Sequence, residues 1–293
     1  MGNWISALAR ALRRLRRGSS ARRRMGEDDP DKPTMEYMID AHVATDIGCV
    51  RETNQDAVAL VQPASGAETK RRGLLAIVAD GMGGHKGGAV ASALAGETVC
   101  QRYFAETDDE PARALELAMR EANRVIHAAA QGNPALDGMG TTATALVLVN
   151  GEAIYAHVGD SRLYRCVQGR CAQLTEDDSL VEQMVRNGII TACETHRHPF
   201  RSVLLRSLGT SEDLDIRAQR VVRLHGGETF VLCSDGLHDG VGMKDIAAAV
   251  DLPSAEVACR RLIDLACERD GSDNISVGVV AVRAEAPSAA HST

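Results

Sequence analysis

The chain has 293 residues, of which 44% are hydrophobic, 3% aromatic and 25% charged, with a formal net charge of −7. That is enough apolar sequence for one large domain or two small ones, with a core of Ala, Val, Leu and Ile rather than aromatics. The acidic balance argues against nucleic-acid binding by the folded body, and the lack of any apolar run near about 18 residues argues against a transmembrane helix or a signal-peptide core.

The charge is uneven. Residues 1–24 hold eight arginines and no acid, so the total of −7 leaves −15 on the remainder. Trp4, Ile5, Leu8, Leu12 and Leu15 fall on one side of a helical wheel, and Arg10, Arg13, Arg14 and Arg17 on the other. Such a helix suits peripheral contact with an anionic surface at the inner face of the membrane, and Gly2 with Ser6 fits the N-myristoylation pattern. A solvated arm or surplus translated leader accounts for the same residues. GSSARRRMGEDDPDKP then reads as a linker, giving an arm and linker over residues 1–33, a folded domain over 34–285 and a disordered tail over 286–293.

From Tyr37, YMIDAHVATDIG reads as a strand and VRETNQDAVALV as a loop entering a second strand. Leu74–Ala79 is an apolar run too short for an ordinary helix, hence a buried strand. It delivers Asp80 and Gly81, after which Gly83, Gly84, Gly87 and Gly88 turn the chain into an Ala/Val/Leu-rich helix. Pro111 opens another helix, with Leu115, Ala118, Ala122, Val125 and Ala129 on one face, and Gly132-Asn133-Pro134 ends it. TTATALVLV, EAIYAHVGD and SRLYRCVQG follow as strands, the first two joined by the hairpin signal Asn150-Gly151.

Residues 175–212 differ in character. Ser179 and Glu182 cap a short helix stopped at Gly188, and ITACETHRHPFRS beyond it has no clear period, which predicts an exposed flap. Its Cys193, His196 and His198 have neither the spacing nor the fourth ligand of a zinc site. Strands at Asp215–Val222 and Thr229–Cys233, helices over 243–250 and 254–269, and a strand at Ile275–Val282 complete the domain. Consecutive strands followed by paired helices predict antiparallel sheets covered by helices. The eight cysteines (Cys49, Cys100, Cys166, Cys171, Cys193, Cys233, Cys259, Cys267) form no C-x-x-C pair. They read as reduced, largely buried thiols of a cytosolic protein rather than a disulfide framework.

Carboxylates recur at strand ends. Asp80-Gly81 and Asp235-Gly236 each end an apolar strand, Asp273-Asn274 opens the last one, Asp56 stands at a strand entrance with Arg51 five residues before it, and Asp137 precedes GMGTT. The Gly-rich turn is neither a P-loop, since Lys86 lies between His85 and Gly87, nor a dinucleotide fingerprint. Oxygen ligands without clustered His or Cys favour Mg²⁺ or Mn²⁺.

In this order, VRETNQDA, VADGMGGHKGG, GMGTT, VGDSRLYR, SLGT, SDGL and SDN resemble the metal-dependent PPM (type 2C) serine/threonine protein phosphatases in their compact bacterial form, over roughly residues 36–283. The resemblance implies a four-layer α-β-β-α sandwich of two antiparallel sheets flanked by helices, with a flap. It also implies hydrolysis of phosphoserine and phosphothreonine by a water activated at a centre of two Mn²⁺ or Mg²⁺ ions, opposing a serine/threonine kinase. By position, Asp80 would bridge the metals, with the Gly81 carbonyl on one and Asp235 and Asp273 on the other. Asp56 would bind through water, and Asp137 would share a third, weaker ion with Asp235. Arg51 matches the phosphate-binding arginine.

Two positions depart from the family pattern. Met82 stands where eukaryotic members carry a proposed acid, His85 three residues on reading as a surface residue. Asp178 stands where bacterial relatives usually have His, which puts the flap contacts in question. The alternatives are a pseudophosphatase, against which all of Asp80, Asp235 and Asp273 are present, or a docking module organised by the arm. A cytoplasmic monomer is expected.

Overall fold

The computed structural model describes residues 21–25, 37–63, 66–83, 87–107, 110–221 and 223–284. The amphipathic stretch of residues 1–20, His85 and the tail 286–293 lie outside them. In chain order the elements are strands β1 (Ala21–Met25), β2 (Tyr37–Asp46) and β3 (Asp56–Val61), helix α1 (Gly66–Arg72), strand β4 (Leu74–Met82), and helices α2 (Gly87–Ala105) and α3 (Pro111–Gly132). Strands β5 (Gly140–Thr141), β6 (Ala143–Val149), β7 (Glu152–Val158), β8 (Arg162–Val167) and β9 (Arg170–Gln173) follow, then α4 (Leu180–Arg186) in the flap. The chain continues through β10 (Gln219–Val221), β11 (Glu228–Cys233), α5 (Asp235–His238), α6 (Met243–Val250), α7 (Ala255–Arg269) and β12 (Ile275–Ala284).

Two antiparallel sheets stack face to face, ordered β1-β2-β12-β11-β8-β9 and β10-β7-β6-β4-β3. Helices cover both outer faces, so the four-layer expectation holds. The uninterrupted apolar run of β4 has a simple cause: both its faces are buried. Leu75, Ile77 and Ala79 pack in one core with Ala91, Val99 and Leu115 of α2 and α3, while Leu74, Ala76 and Val78 pack between the sheets against Ile39, Phe230 and Leu232. A third core joins the other sheet to α6 and α7 through Val231, Val277, Ile246 and Leu262. Among the described residues no helix is long and apolar enough to cross a membrane.

Three local expectations are corrected, and one helix is added to them. Residues 21–25, read as linker, form β1 and pair with Tyr37–Ala41 along the otherwise open edge of β2. Residues 66–72 form a helix that no apolar period announces. Tertiary contact holds it: Arg72 is fully buried and 5.4 Å from the Tyr103 ring, and the Tyr103 hydroxyl donates to the Arg72 carbonyl at 2.8 Å. The strand expected at Asp215–Val222 shrinks to β10, because the backbone before it is taken by side chains of α3. Ala218 N–H donates to Glu116 at 3.0 Å, and Arg120 donates to the Ile216 carbonyl at 3.2 Å. Finally, the thiols are not all reduced. Cys166 and Cys171 face each other across the β8–β9 hairpin and are joined as a disulfide. Nor are they all buried, since Cys49 and Cys193 are exposed.

Candidate active site

Strand parity places the first two carboxylates. Side chains alternate across a strand, so Asp80 lies on the same face as Leu74, Ala76 and Val78, the face between the sheets. Asp56 is its direct cross-strand partner on β3 and therefore enters the same cleft. From the facing sheet, β11 ends at Cys233, and Ser234 beyond it donates its hydroxyl to Asp56 Oδ2 at 2.8 Å. Asp235 then begins α5, and Asp273 stands just before β12.

The backbone under Asp80 is fixed by the GMGTT segment. Thr142 Oγ1 accepts the Asp80 N–H at 2.9 Å, while Thr142 N–H and Thr141 Oγ1 donate to the Asp80 carbonyl at 2.8 and 2.7 Å. Next to it, Gly81 comes so close to the start of α2 that a β-carbon would lie 2.1 Å from the Gly88 carbonyl oxygen. No larger residue fits there. Asn274 holds the Arg51 loop by accepting the Gln55 N–H at 2.8 Å and donating to the Ile47 and Thr53 carbonyls at 2.9 and 3.1 Å. Arg51, half-exposed, donates from Nη2 to Asp273 Oδ2 at 2.5 Å.

The carboxylates keep part of their surface at the cleft mouth but are hemmed in by protein on every other side. Burial, and secondarily the charges of Asp235 and Asp273, push Asp56 up to about 7 against the pull of the Ser276 and Ser234 hydroxyls. Asp80 is held well above the usual carboxylate range by burial, then by Asp56, Asp235 and Asp160. Burial also raises Asp235, with Asp273 and Asp239 adding to it and His238 opposing. One oxygen of Asp235, Oδ1, is buried without a hydrogen-bond partner.

Asp160, in the turn between β7 and β8, joins the candidate site although the sequence alone does not single it out. It is pushed up to about 7 by burial and by Asp235, and it lines the same pocket of about 280 Å³ as Arg51, Asp235 and Asp273. Its signal was the VGDSR motif directly after a strand. His238 ties α5 to this turn, its Nε2 standing 3.1 Å from the Asp160 carbonyl. Asp137, by contrast, is exposed in the turn after a short 3-10 helix and does not line that pocket.

The flap is pinned at its root. Arg162 makes a forked pair with Asp177, Nη2 to Oδ2 being 2.7 Å. Asp178 accepts the Gly159 N–H at 3.1 Å and pairs with Arg206 Nη1 at 3.1 Å, so it anchors the flap by an ion pair.

As they stand, no three carboxylate, imidazole or thiol groups among the described residues are gathered tightly enough to hold a metal ion. The donor set nonetheless suits a hard cation. It is all oxygen, its protons are held by burial and mutual repulsion that a cation would relieve, and it includes an unpartnered buried carboxylate oxygen.

Comparison with known proteins decides the family. Residues 50–262 match the family model described as protein phosphatase 2C. This chain belongs to that family. Over 242 residues it is 39% identical to the serine/threonine protein phosphatase PstP of Mycobacterium tuberculosis, covering 81% of this chain and 44% of that protein. It thus spans less than half the length of that relative. The serine/threonine phosphatase stp of Listeria monocytogenes is 34% identical, with 82% and 94% covered. Among solved structures, the PstP catalytic domain in complex with two manganese ions superposes with a TM-score of 0.73 at 33% identity, covering 84% of this chain and 99% of that one.

Proposed function

We propose that this chain is a serine/threonine protein phosphatase, hydrolysing phosphoserine and phosphothreonine on proteins at a centre of two Mn²⁺ or Mg²⁺ ions. The observation that carries this reading is the convergence of Asp56, Asp80 and Asp235 from two facing sheets on one cleft whose rim carries Arg51. The family membership and the two manganese ions of the PstP domain support it. Asp56, Asp80, the Gly81 carbonyl, Asp235 and Asp273 would hold the metals. Such cations supply Lewis acidity toward water and the phosphoryl oxygens.

The chain's own residues do the rest. Thr141 and Thr142 hold the Asp80 backbone, and Ser234 orients Asp56 across the cleft. Arg51 offers a planar fork that matches two phosphoryl oxygens, and its exposure lets it exchange Asp273 for substrate. The resemblance assigns a third, weaker ion to Asp137 with Asp235. Asp160 lines the pocket together with Asp235, whereas Asp137 is exposed outside it, so Asp160 would suit that place better.

Phosphoprotein substrates, an opposing serine/threonine kinase, and a monomeric, cytoplasmic state belong to the same reading. So does contact of residues 1–24 with an anionic membrane surface, which their eight arginines support. The test is release of phosphate from a phosphothreonine peptide, dependent on Mn²⁺ and abolished by chelator. A chain that binds the peptide with Mn²⁺ present yet releases nothing is a pseudophosphatase instead.

A further inference from the structure

Most of the cysteines are poor candidates for redox chemistry. Burial pushes Cys100, Cys233 and Cys259 up to about 12, leaving almost no thiolate at neutral pH. Cys166 and Cys171 are already joined, and Cys193 is exposed on the flap. The remaining two, Cys49 and Cys267, lie far apart in sequence but meet beside the active-site rim.

Cys49 belongs to the turn that leads into Arg51, and Cys267 to the last turn of α7, just before the segment that carries Asp273. The two stretches are already clamped. Cys49 N–H donates to the Gly271 carbonyl at 2.7 Å, and a β-carbon on Gly48 would lie 2.1 Å from the Asp273 carbonyl oxygen. The sulfur of Cys49 stands 4.0 Å from the Cys267 carbonyl oxygen. A single point beside Gly271 lies 2.7 Å from Cys49 Sγ, 3.2 Å from Cys49 Cβ and 3.3 Å from Cys267 Cα. The cysteines thus stand across about the width of one small side chain, the gap a disulfide spans when its Cα atoms are about 4.4–6.8 Å apart. The thiol of Cys267 is raised by burial, then by Asp46 and by the neighbouring Cys49, in keeping with the closeness of the two side chains. Cys49 is exposed to an oxidant in solution while Cys267 is half-buried behind it, the arrangement of an attacked and a resolving thiol.

We infer that Cys49 and Cys267 form a reversible disulfide that locks the Arg51 loop against the Asp273 segment. With hydrogen peroxide as oxidant, Cys49 thiolate attacks the peroxide to give a sulfenic acid and hydroxide. Cys267 then attacks that sulfur, forming the S–S bond and expelling the oxygen as water. Overall, two S–H bonds are lost, the O–O bond takes up two electrons and two protons, and two waters leave. A dithiol reverses the step by exchange. The consequence for catalysis rests on the phosphatase reading, because the lock holds Arg51 on Asp273 and away from the phosphoryl group. The bond itself does not depend on that reading.

The test treats the full chain with hydrogen peroxide, blocks free thiols, digests with trypsin without reduction and maps the fragments by mass. A fragment joining residues 25–51 to residues 262–269 is expected, lighter by two hydrogens than the sum of its parts. It disappears on adding dithiothreitol and is absent in Cys49→Ser and Cys267→Ser. Activity of the wild-type chain on a phosphothreonine peptide falls about tenfold on oxidation, chiefly through KM, and returns with dithiothreitol. Either serine variant keeps the reduced activity and loses the response. The inference is overturned if Cys49 is alkylated equally before and after peroxide, if Cys49 is found linked to Cys193, or if the expected link forms without any change in KM. A chain inactive even when reduced would sink the phosphatase reading instead, while the fragment map still decides whether the bond forms.

Discussion

Asp56 on β3 and Asp80 on β4 are direct cross-strand partners, two carboxylates set side by side in a cleft that would ordinarily keep like charges apart. Folding costs free energy here in the absence of a cation, and the cost depends on pH. Asp56 and Asp160, both pushed up to about 7, keep their protons in the folded chain, whereas unfolded they lose them near 3.8. Between those values the folded state binds more protons than the unfolded one, so stability falls as pH rises from about 4 to about 7 and then levels off. The melting temperature of chelator-treated protein should drop by several degrees across that window, and Asp56→Asn should flatten the slope. A melting temperature that rises over the same range contradicts this account.

The same repulsion separates activity from stability in variants. Asp80→Asn and Asp235→Asn remove a carboxyl group whose ionisation burial and its neighbours oppose, so each should melt at or above the wild-type temperature in chelator at pH 7. Each should also lose about three orders of magnitude in phosphate release, since cation-assisted stabilisation of a transition state is worth several kcal/mol. Isothermal titration with Mn²⁺ should show a lost or much weakened site. Near-wild-type turnover in either variant would remove the two-metal assignment.

Arg51 tests the recognition half of the site. Its planar fork distinguishes it from a lysine of equal charge. Arg51→Lys should raise KM for a phosphothreonine peptide about tenfold, and Arg51→Ala further, because hydrogen bonds to charged groups contribute about 1.5–3 kcal/mol. Unchanged KM in Arg51→Ala would leave the arginine as a partner of Asp273 alone.

At the flap root, Asp177→Asn weakens the forked pair that holds the mostly buried Arg162. A loss of about 1.5–3 kcal/mol of stability is expected by thermal melting. KM for peptides should rise more than that for a small aryl phosphate, since a peptide covers more of the flap residues, such as Val181, Thr195 and Arg201, that line the pocket. Equal effects on both substrates would make the pair purely structural.

Much of this was legible in the chain because a few residues declare both structure and chemistry. The short apolar run ending in Asp80-Gly81 reads as a buried strand that delivers a carboxylate, and the structure places it so, with both faces buried. Asp160 was harder to read, since an Asp after a strand is ordinarily a turn residue, and only the fold shows that this turn faces Asp235. Helix α1 carries no apolar period because it is held by the buried Arg72 and by Tyr103, partners far away in sequence. The Cys166–Cys171 bridge follows from a hairpin register that spacing alone does not disclose.

Leaving-group protonation is where the chain departs furthest from the eukaryotic pattern. Met82 occupies the place of the proposed acid, and its thioether side chain has no proton to hand to a departing serine or threonine alkoxide. A phenolate needs far less help, its parent acid having a pKa of about 10. The donor, or the group that orders a water to donate, must therefore lie where it reaches the pocket shared by Arg51 and Asp235. Asp160 lines that pocket, whereas Asp137 lies exposed outside it and Asp177 is committed to Arg162. Asp160→Asn should slow hydrolysis of a phosphothreonine peptide about 10²–10⁴-fold more than hydrolysis of an aryl phosphate, the range typical of proton donation. Asp137→Ala should affect both substrates alike. A selective loss in Asp137→Ala would return the role to a third ion held there, and a selective loss in His85→Ala would move it to the Gly-rich turn.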